Sequence, residues 1–538
     1  MTDRRCLIVL VLIVLVGLAL RWGQWQLRPL HGDEAIHAVK LSEWMQQGVY
    51  RYDPQDYHGP TLNLFTFLPA WLGGADSLVS LNEAMLLVVP VFFGVGLIAL
   101  HGLLLRQLGA VVLLSVALLL ACSPAFVFYS RYYIQEMLLV CFTAGLICCG
   151  WRYVRRPGMA WALAAGAFAG LMHASKETCV IAYFCLGVAT LVVLFSRSGN
   201  FTVVRESWKP LHLVATIGAG VLVSTLLFTS FGFNPRGVVD SILTYLSYLV
   251  RADGAGLHDH PWHFYLEILT LYHDAPGPIF SEWIILFLAV VGLCFGHTQT
   301  RISQSFRLFV SVYTVLMLSI YSAIPYKTPW CLLGFHHGLV LLAGIGLSVI
   351  VSQRQVVVRY GGLALAVLGV IHLFWLALLV RGPYCADPRS PYVYAHPLPE
   401  VHELVDHVQS FAAAQSEEQV FRVDVFCSGN DYWPLPWYFR NLTAVGYYDQ
   451  VPSDYQPAPL ILTLPEHIPQ LQQAMYQNRP PGRRDLYVDL FDQLLRLRLG
   501  RPIRALTTLE KLQRYKLQSD PPDLPHPPHL PAEARSRD

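Results

Sequence analysis

Hydrophobic positions run unbroken for long distances over the first two thirds of the chain. Residues 7–20 read LIVLVLIVLVGLAL. Stretches of about 20 mainly apolar residues, the length that crosses a bilayer, fall at 7–25, 84–105, 110–128, 137–153, 159–174, 178–196, 211–231, 281–297, 307–324, 331–351 and 358–380. The pattern predicts a polytopic α-helical membrane protein of about eleven spans, occupying residues 1–380. Beyond residue 380 the runs shorten. VFRVDVF (420–426) alternates as a half-buried strand does, PLILTL (459–464) reads as a second strand, and DLYVDLFDQLLRLRL (485–499) has the apolar spacing of a helix. A small α/β domain is expected over 381–518, and the Pro-rich end, 519–538, is expected to be disordered.

Composition agrees with the pattern: 54% of residues are hydrophobic and 14% charged, a balance that a soluble domain of this size could not carry. The formal net charge of +2 suggests neither a nucleic acid nor any other polyanionic partner. Charge is informative by location. Arg106, Arg152, Arg155, Arg156, Arg197, Arg205, Lys209, Arg301, Arg307, Arg354 and Arg359 all lie in one alternate set of connections, which the excess of basic residues assigns to the cytoplasm. The first run follows Arg4 and Arg5 but precedes no small-residue cleavage site, so it is read as a retained span with the N-terminus inside. An odd span number then puts the C-terminal domain outside. Most of the eleven cysteines sit in apolar runs as small hydrophobes; Cys385 and Cys427 lie in the polar part, and a disulfide between them stays open.

The connections on the outer side hold the unusual polar residues. HGDEAIHAVKLSEW places His31, Asp33, Glu34 and His37 close behind the first span, with Asp33 where a helix cap would stand. GVYRYDPQDYHGP gathers Tyr50, Tyr52, Tyr57 and His58 with Asp53 and Asp56, a mixture that serves either as an interfacial belt or as a sugar site, ring faces on the pyranose and polar tips on its hydroxyls. SRYYIQEM carries Arg131, Tyr132 and Glu136, HASKETC carries Lys176 and Glu177, and YKTPW carries Lys327 and Trp330. Charges at membrane depth are costly unless paired or hydrated. Each could be a snorkelling helix end; together, cations in an apolar cavity suit a phosphate arriving on a lipid, and a nearby carboxylate suits activation of a hydroxyl. The loop 232–280 has His-x-His and His-x-x-His spacings at His258, His260 and His263, but no fixed tetrahedral zinc set, and is read as a cover for the acceptor entrance. His336 and His337 are expected as buried polar residues.

With HGDEAIHA, YRYDPQDYHGP, SRYYIQEM, SKET, PYKTPW and DYWPLPWY in order, the chain resembles glycosyltransferase superfamily C. Within it the resemblance is to the protein O-mannosyltransferase and aminoarabinose-transferase group, and more narrowly to the flippase-activity-associated glycosyltransferases. The resemblance implies a hexosyltransferase using a polyprenyl-phosphate sugar, with a glycan, lipid or protein acceptor, in the cell membrane. It implies that Asp33 is general base, with Glu34 and Glu136 placing acceptor or base. By extension of the charge reading, Arg131, Lys176 and Lys327 would hold the donor phosphate, and His31, Tyr57, His58, Tyr132, Glu177 and Trp330 would bind substrate. Polyprenyl phosphate leaves readily, so one base suffices, direct attack inverts the anomeric centre, and no metal is obligatory, although a divalent cation is compatible. A non-catalytic part in lipid-linked sugar transport is the alternative, against which stand the absence of charge in span middles and the one-sided placement of the polar residues.

Overall fold

The computed structural model describes residues 3–54, 58–196, 209–251, 258–298, 302–415, 421–477, 480, 482, 484–491 and 495–519. Tyr57, the loop segment 252–257 and the tail beyond residue 519 lie outside them. The chain divides into two compact units, residues 1–396 and 397–538. The first unit is helical, and a helix occupies each of the eleven apolar stretches: α1 (Asp3–Arg21), α4 (Glu83–Leu100), α5 (Leu105–Cys122), α7 (Glu136–Arg155), α8 (Met159–His173), α9 (Cys179–Phe195), α10 (Pro210–Phe228), α13 (Trp283–Phe295), α14 (Gln304–Ala323), α15 (Leu333–Val351) and α16 (Val356–Arg381). Between them lie α2 (Gly32–Gln47), α3 (Thr61–Leu72), α6 (Pro124–Tyr129), α11 (Gly237–Arg251), α12 (Phe264–Thr270) and the short antiparallel pair β1 (Tyr272–His273) and β2 (Ile279–Phe280). Among the described residues six helical segments are long and apolar enough to cross a membrane: Glu83–Cys122, Glu136–Arg155, Pro210–Phe228, Gln304–Ala323, Pro329–Val351 and Val356–Arg381. The protein is a multi-pass membrane protein.

Small residues and buried polar anchors set the helix packing. A Cβ at Gly292 or Gly346 would strike the carbonyl of Leu342 or Leu288, so α13 and α15 touch backbone to backbone, as close membrane helices do. Arg21, fully buried at the end of α1, donates to Ser130 Oγ at 2.9 Å and to the carbonyls of Gly17, Leu120 and Ala121 at 2.9–3.0 Å. A buried guanidinium survives because every face of it meets an oxygen.

Composition sets the domain boundary near residue 380, whereas in the structure the helical unit runs on to His396. The segment past α16 is tied back to the helices. Tyr392 Oη donates to Glu282 Oε1 at 2.9 Å, and Tyr394 Oη bonds the rings of His258 and His260 at 2.9 Å each. Glu282, at the start of α13, also accepts from Ser123 Oγ (2.6 Å), Ala125 N (3.0 Å) and His336 Nε2 (2.9 Å). His337 faces His101 at 3.0 Å between ring nitrogens. Both histidines of α15 are thus buried polar residues.

The second unit is α/β. β3 (Arg422–Phe426) pairs in parallel with β4 (Ala444–Tyr448) and β5 (Leu460–Thr463), and β8 (Arg501–Thr508) lies antiparallel to β5, β6 (Tyr487–Asp489) and β7 (Leu495–Arg498). α17 (Glu400–Ala414) buries Val401, Leu404, Val405, Val408 and Phe411, the stripe of an amphipathic helix. The two expected strands stand at β3 and β5. The helix expected over 485–499 is corrected: the described part of that stretch forms β6 and β7, because β8 offers both an unpaired edge and an apolar face. In the LRLR of β7, Leu495 and Leu497 are buried while Arg496 faces out, the alternation of a strand. Cys385 and Cys427 are free buried thiols.

Candidate functional site

The site begins at the start of α2. His31 is extended (φ −67°, ψ 160°) and caps the helix: its Nδ1 accepts from Asp33 N at 3.1 Å, and Glu34 reaches back to His31 N at 2.7 Å. This reciprocal arrangement satisfies two orphan donors of the first turn. The cap is therefore His31 and not Asp33, which stands one turn position inside, where the helix dipole favours an anion. α2 stops at Gly48, whose φ of 72° is the left-handed conformation that closes helices at low cost.

The adjacent carboxylates Asp33 and Glu34 have opposite surroundings. Glu34 is fully buried and holds Arg28 in a bidentate pair (2.5 and 2.7 Å), the His31 amide and the Tyr133 amide at 2.7 Å. Burial works against the Arg28 charge, but Glu34 outweighs it and raises the guanidinium above its ordinary range. Glu34 is a strut. Asp33 keeps 48% of its side-chain surface open although it lies deep among His31, His37, His58 and Lys176. Burial raises its pKa, and those neighbours, His31 foremost, outweigh burial and hold its carboxyl below the usual range. The ring of His37 is driven down to about 3, first by burial and then by His58, so it is neutral at physiological pH.

Two further segments close around Asp33. Gly59 N donates to Ser175 O (3.1 Å) and Thr61 N to Ala174 O (3.2 Å), and a Cβ on Gly59 would strike the Ala174 carbonyl. This backbone seam sets His58 Nδ1 at 2.7 Å from Glu177 Oε2, while Tyr52 Oη donates to Glu177 Oε1 at 2.7 Å. Burial raises the Glu177 pKa, but His58, the largest of the opposing causes, and Tyr52 pull it down to about 2. Lys176, next in the chain, is buried and pairs with Glu136 at the first turn of α7. Burial opposes the Lys176 charge and Glu136 more than offsets it, so the ammonium is held protonated.

Aromatic rings form the remaining wall. His31 stacks on His396 (centroids 5.8 Å apart, planes 9° apart) and lies 5.7 Å from Tyr132 and 5.8 Å from Trp330. Tyr132 Oη is 3.3 Å from His396 Nδ1, and Arg28 sits 4.5 Å over the Tyr132 ring.

Of the residues read from sequence, the structure brings together Asp33, His31, His58, Lys176, Glu177, Glu136, Tyr132 and Trp330. Three others have different work. Glu34 braces the cap; Arg131 donates to the carbonyls of Arg381, Gly23 and Gln24 at 2.8–3.2 Å; Lys327 donates to those of His260 and Ile324 at 2.8 and 2.5 Å. Both cations are bonded to backbone carbonyls of neighbouring segments. Burial, then Arg28, lowers the Arg131 pKa to about 10. Sequence reasoning missed Arg28 and His396. Arg28 had a signal in its spacing, six residues before Glu34 in RPLHGDE; His396 had none, since nothing local ties it to residue 31. Among the described residues no group of three His, Cys, Asp or Glu side chains is disposed to hold a metal ion.

The fold of the chain has counterparts among solved structures. ArnT from Cupriavidus metallidurans in the apo state superposes with a TM-score of 0.59 at 16% identity, over 92% of this chain and 97% of that one; the form bound to undecaprenyl phosphate gives 0.58. The Saccharomyces cerevisiae protein O-mannosyltransferase Pmt1–Pmt2 complex bound to the sugar donor gives 0.55 at 10% identity, over 76% of this chain and 92% of that one. The Archaeoglobus fulgidus oligosaccharyltransferase gives 0.51 at 14% identity over 81% of this chain, which spans 63% of that longer one. A family model described as dolichyl-phosphate-mannose-protein mannosyltransferase matches residues 65–235, the segment that holds Glu136, Lys176 and Glu177. No curated protein sequence matches the chain. The fold is that of the superfamily C glycosyltransferases, as the ordered sequence motifs anticipated.

Proposed function

We propose that the protein is a glycosyltransferase of the cell membrane that moves a sugar from a polyprenyl-phosphate donor to a hydroxyl of a glycan, lipid or protein acceptor on the outer face, with inversion. One observation carries the reading: within the cluster Glu34 and Glu177 are committed on both oxygens and Glu136 holds Lys176, whereas Asp33 is open. The acceptor oxygen attacks the anomeric carbon, Asp33 takes its proton, and the bond from that carbon to the phosphate oxygen breaks with its electron pair left on the phosphate. Lys176 is the cation that meets the charge developing there, a narrower assignment than three cations. His31, His58 and Trp330 line the substrate. The departing phosphate monoester needs no protonating acid, unlike the alcohol released in glycoside hydrolysis, and no metal is obligatory. The N-terminus is cytoplasmic on this reading and the α/β unit lies outside.

The test is transfer of labelled sugar from a panel of polyprenyl-phosphate sugars by purified protein in lipid, with and without chelator, comparing wild type with Asp33→Asn. Transfer that survives chelator and falls about 100-fold or more in the variant, the range for loss of a general base, supports the reading. Equal rates would reduce Asp33 to a helix-start anion. Absence of transfer, with lipid-linked sugar failing to cross membranes that lack the protein, would replace catalysis by transport.

A further inference from the structure

Behind Trp330 the helices α7, α9, α14 and α15 leave a recess of about 30 Å³, whose walls include Glu136, Leu139, Met317, Trp330, Leu333 and Gly334. The space admits one hydroxyl-sized group with its carbon, not a ring. Glu136 is 6% exposed. Its Oε1 is taken by Lys176, but its Oε2 is buried with no hydrogen-bond partner among the described residues. A buried carboxylate oxygen without a protein donor calls for one from a water held in the recess or from a ligand group that displaces that water. Trp330 belongs both to the recess and, 5.8 Å from His31, to the wall of the Asp33 site, so an arm in the recess would belong to a ring lying against Trp330.

Building on the transferase reading, we propose that the recess selects the donor sugar: it takes the hydroxymethyl arm of a neutral hexopyranose, the methylene against the apolar wall and the hydroxyl donating to Glu136 Oε2. Neutrality follows from charge. Lys176 compensates Glu136, so the recess presents an acceptor without the net negative charge that would draw an ammonium sugar. A pentose or a 6-deoxyhexose leaves the oxygen bare, and a site built around a hydroxyl discriminates strongly against the analogue that lacks it.

The experiment uses the full chain in lipid, with each polyprenyl-phosphate hexose paired against its 6-deoxy counterpart and with an amino sugar donor in the panel. A kcat/KM ratio of about tenfold or more in favour of the hexose is expected, one lost hydrogen bond's worth of discrimination. The second arm is Gly334→Ala. Its Cβ falls 2.7 Å from Met317 Cε, and since both residues line the recess the added methyl and the thioether end it displaces alter the recess, so the ratio is expected to collapse towards one. A variant that is merely misfolded lowers both rates and keeps the ratio. Equal transfer of the paired donors by wild type, preference for the amino sugar, or a ratio unchanged in a Gly334→Ala protein that keeps its rate with the hexose donor each overturns the proposal while leaving the transferase reading intact. No transfer from any donor overturns both.

Discussion

Asp33 and Glu34 share a peptide bond and nothing else. One is sealed under Arg28 and two backbone amides; the other keeps about half of its side chain open, with its acidity increased by the imidazoles and Lys176. A base with a pKa below the ordinary carboxylate value stays ionised throughout the neutral range, so the transfer rate is expected to remain flat from pH 8 down to about pH 5, the limit set by an unperturbed carboxylate near 4. A limb near pH 6.5 in the kcat/KM profile would instead make an imidazole the base. Glu177 predicts the stability side with its own sign: a depressed native pKa stabilises the fold above the ordinary carboxylate range, and that contribution is lost as pH falls towards about 2. Sequence revealed which charged residues stand near one another but not what each is bonded to. Arg131, Lys176 and Lys327 look alike as basic letters in the connections between apolar runs. The carbonyls of Arg381, Gly23 and Gln24 that occupy Arg131, and that of His260 on Lys327, come from residues far along the chain.

At the level of elements, the turns do more positioning than the spans. Lys327 holds the turn after α14 by donating to the His260 and Ile324 carbonyls. Lys327→Ala is expected to cost on the order of 1–3 kcal/mol through the bared carbonyls, read as a lower midpoint of thermal unfolding, while the KM for the donor stays within about twofold. A rise in KM of tenfold or more would return Lys327 to the donor phosphate. The apolar runs were legible because a stretch of about 20 apolar residues has one stable arrangement in a bilayer whatever its neighbours. The stretch 485–499 was not, because its spacing of Leu and Val fits helix and strand alike, and the decision belonged to the partner strand β8. His31 as cap was illegible for a related reason: Asp commonly caps helices, and only the ring orientation shows that the histidine has taken the place.

Across the whole molecule, the site is drawn from residues 31–37, 58, 132–136, 176–177, 330 and 396, and the last of these depends on the segment that follows α16. A chain cut after Arg381 would lose Tyr392 from buried Glu282 and His396 from the face of His31. A chain ending at His396 keeps both. The longer fragment is expected to run as a monodisperse species in detergent and the shorter one to aggregate; equal behaviour would show that the segment is not part of the helical unit.

The same segment bears on the order of synthesis. The open carboxylate is translated ahead of α4 to α16, and the ring that stacks on its helix cap comes only after α16 has left the ribosome. During the interval the nascent chain already carries Asp33, Lys176 and a hydrophobic surface in contact with lipid, but not the completed wall. On the transferase reading, competence is withheld until α16 and the segment behind it have been made, and a product released before them would bear the proposed base without its enclosing wall.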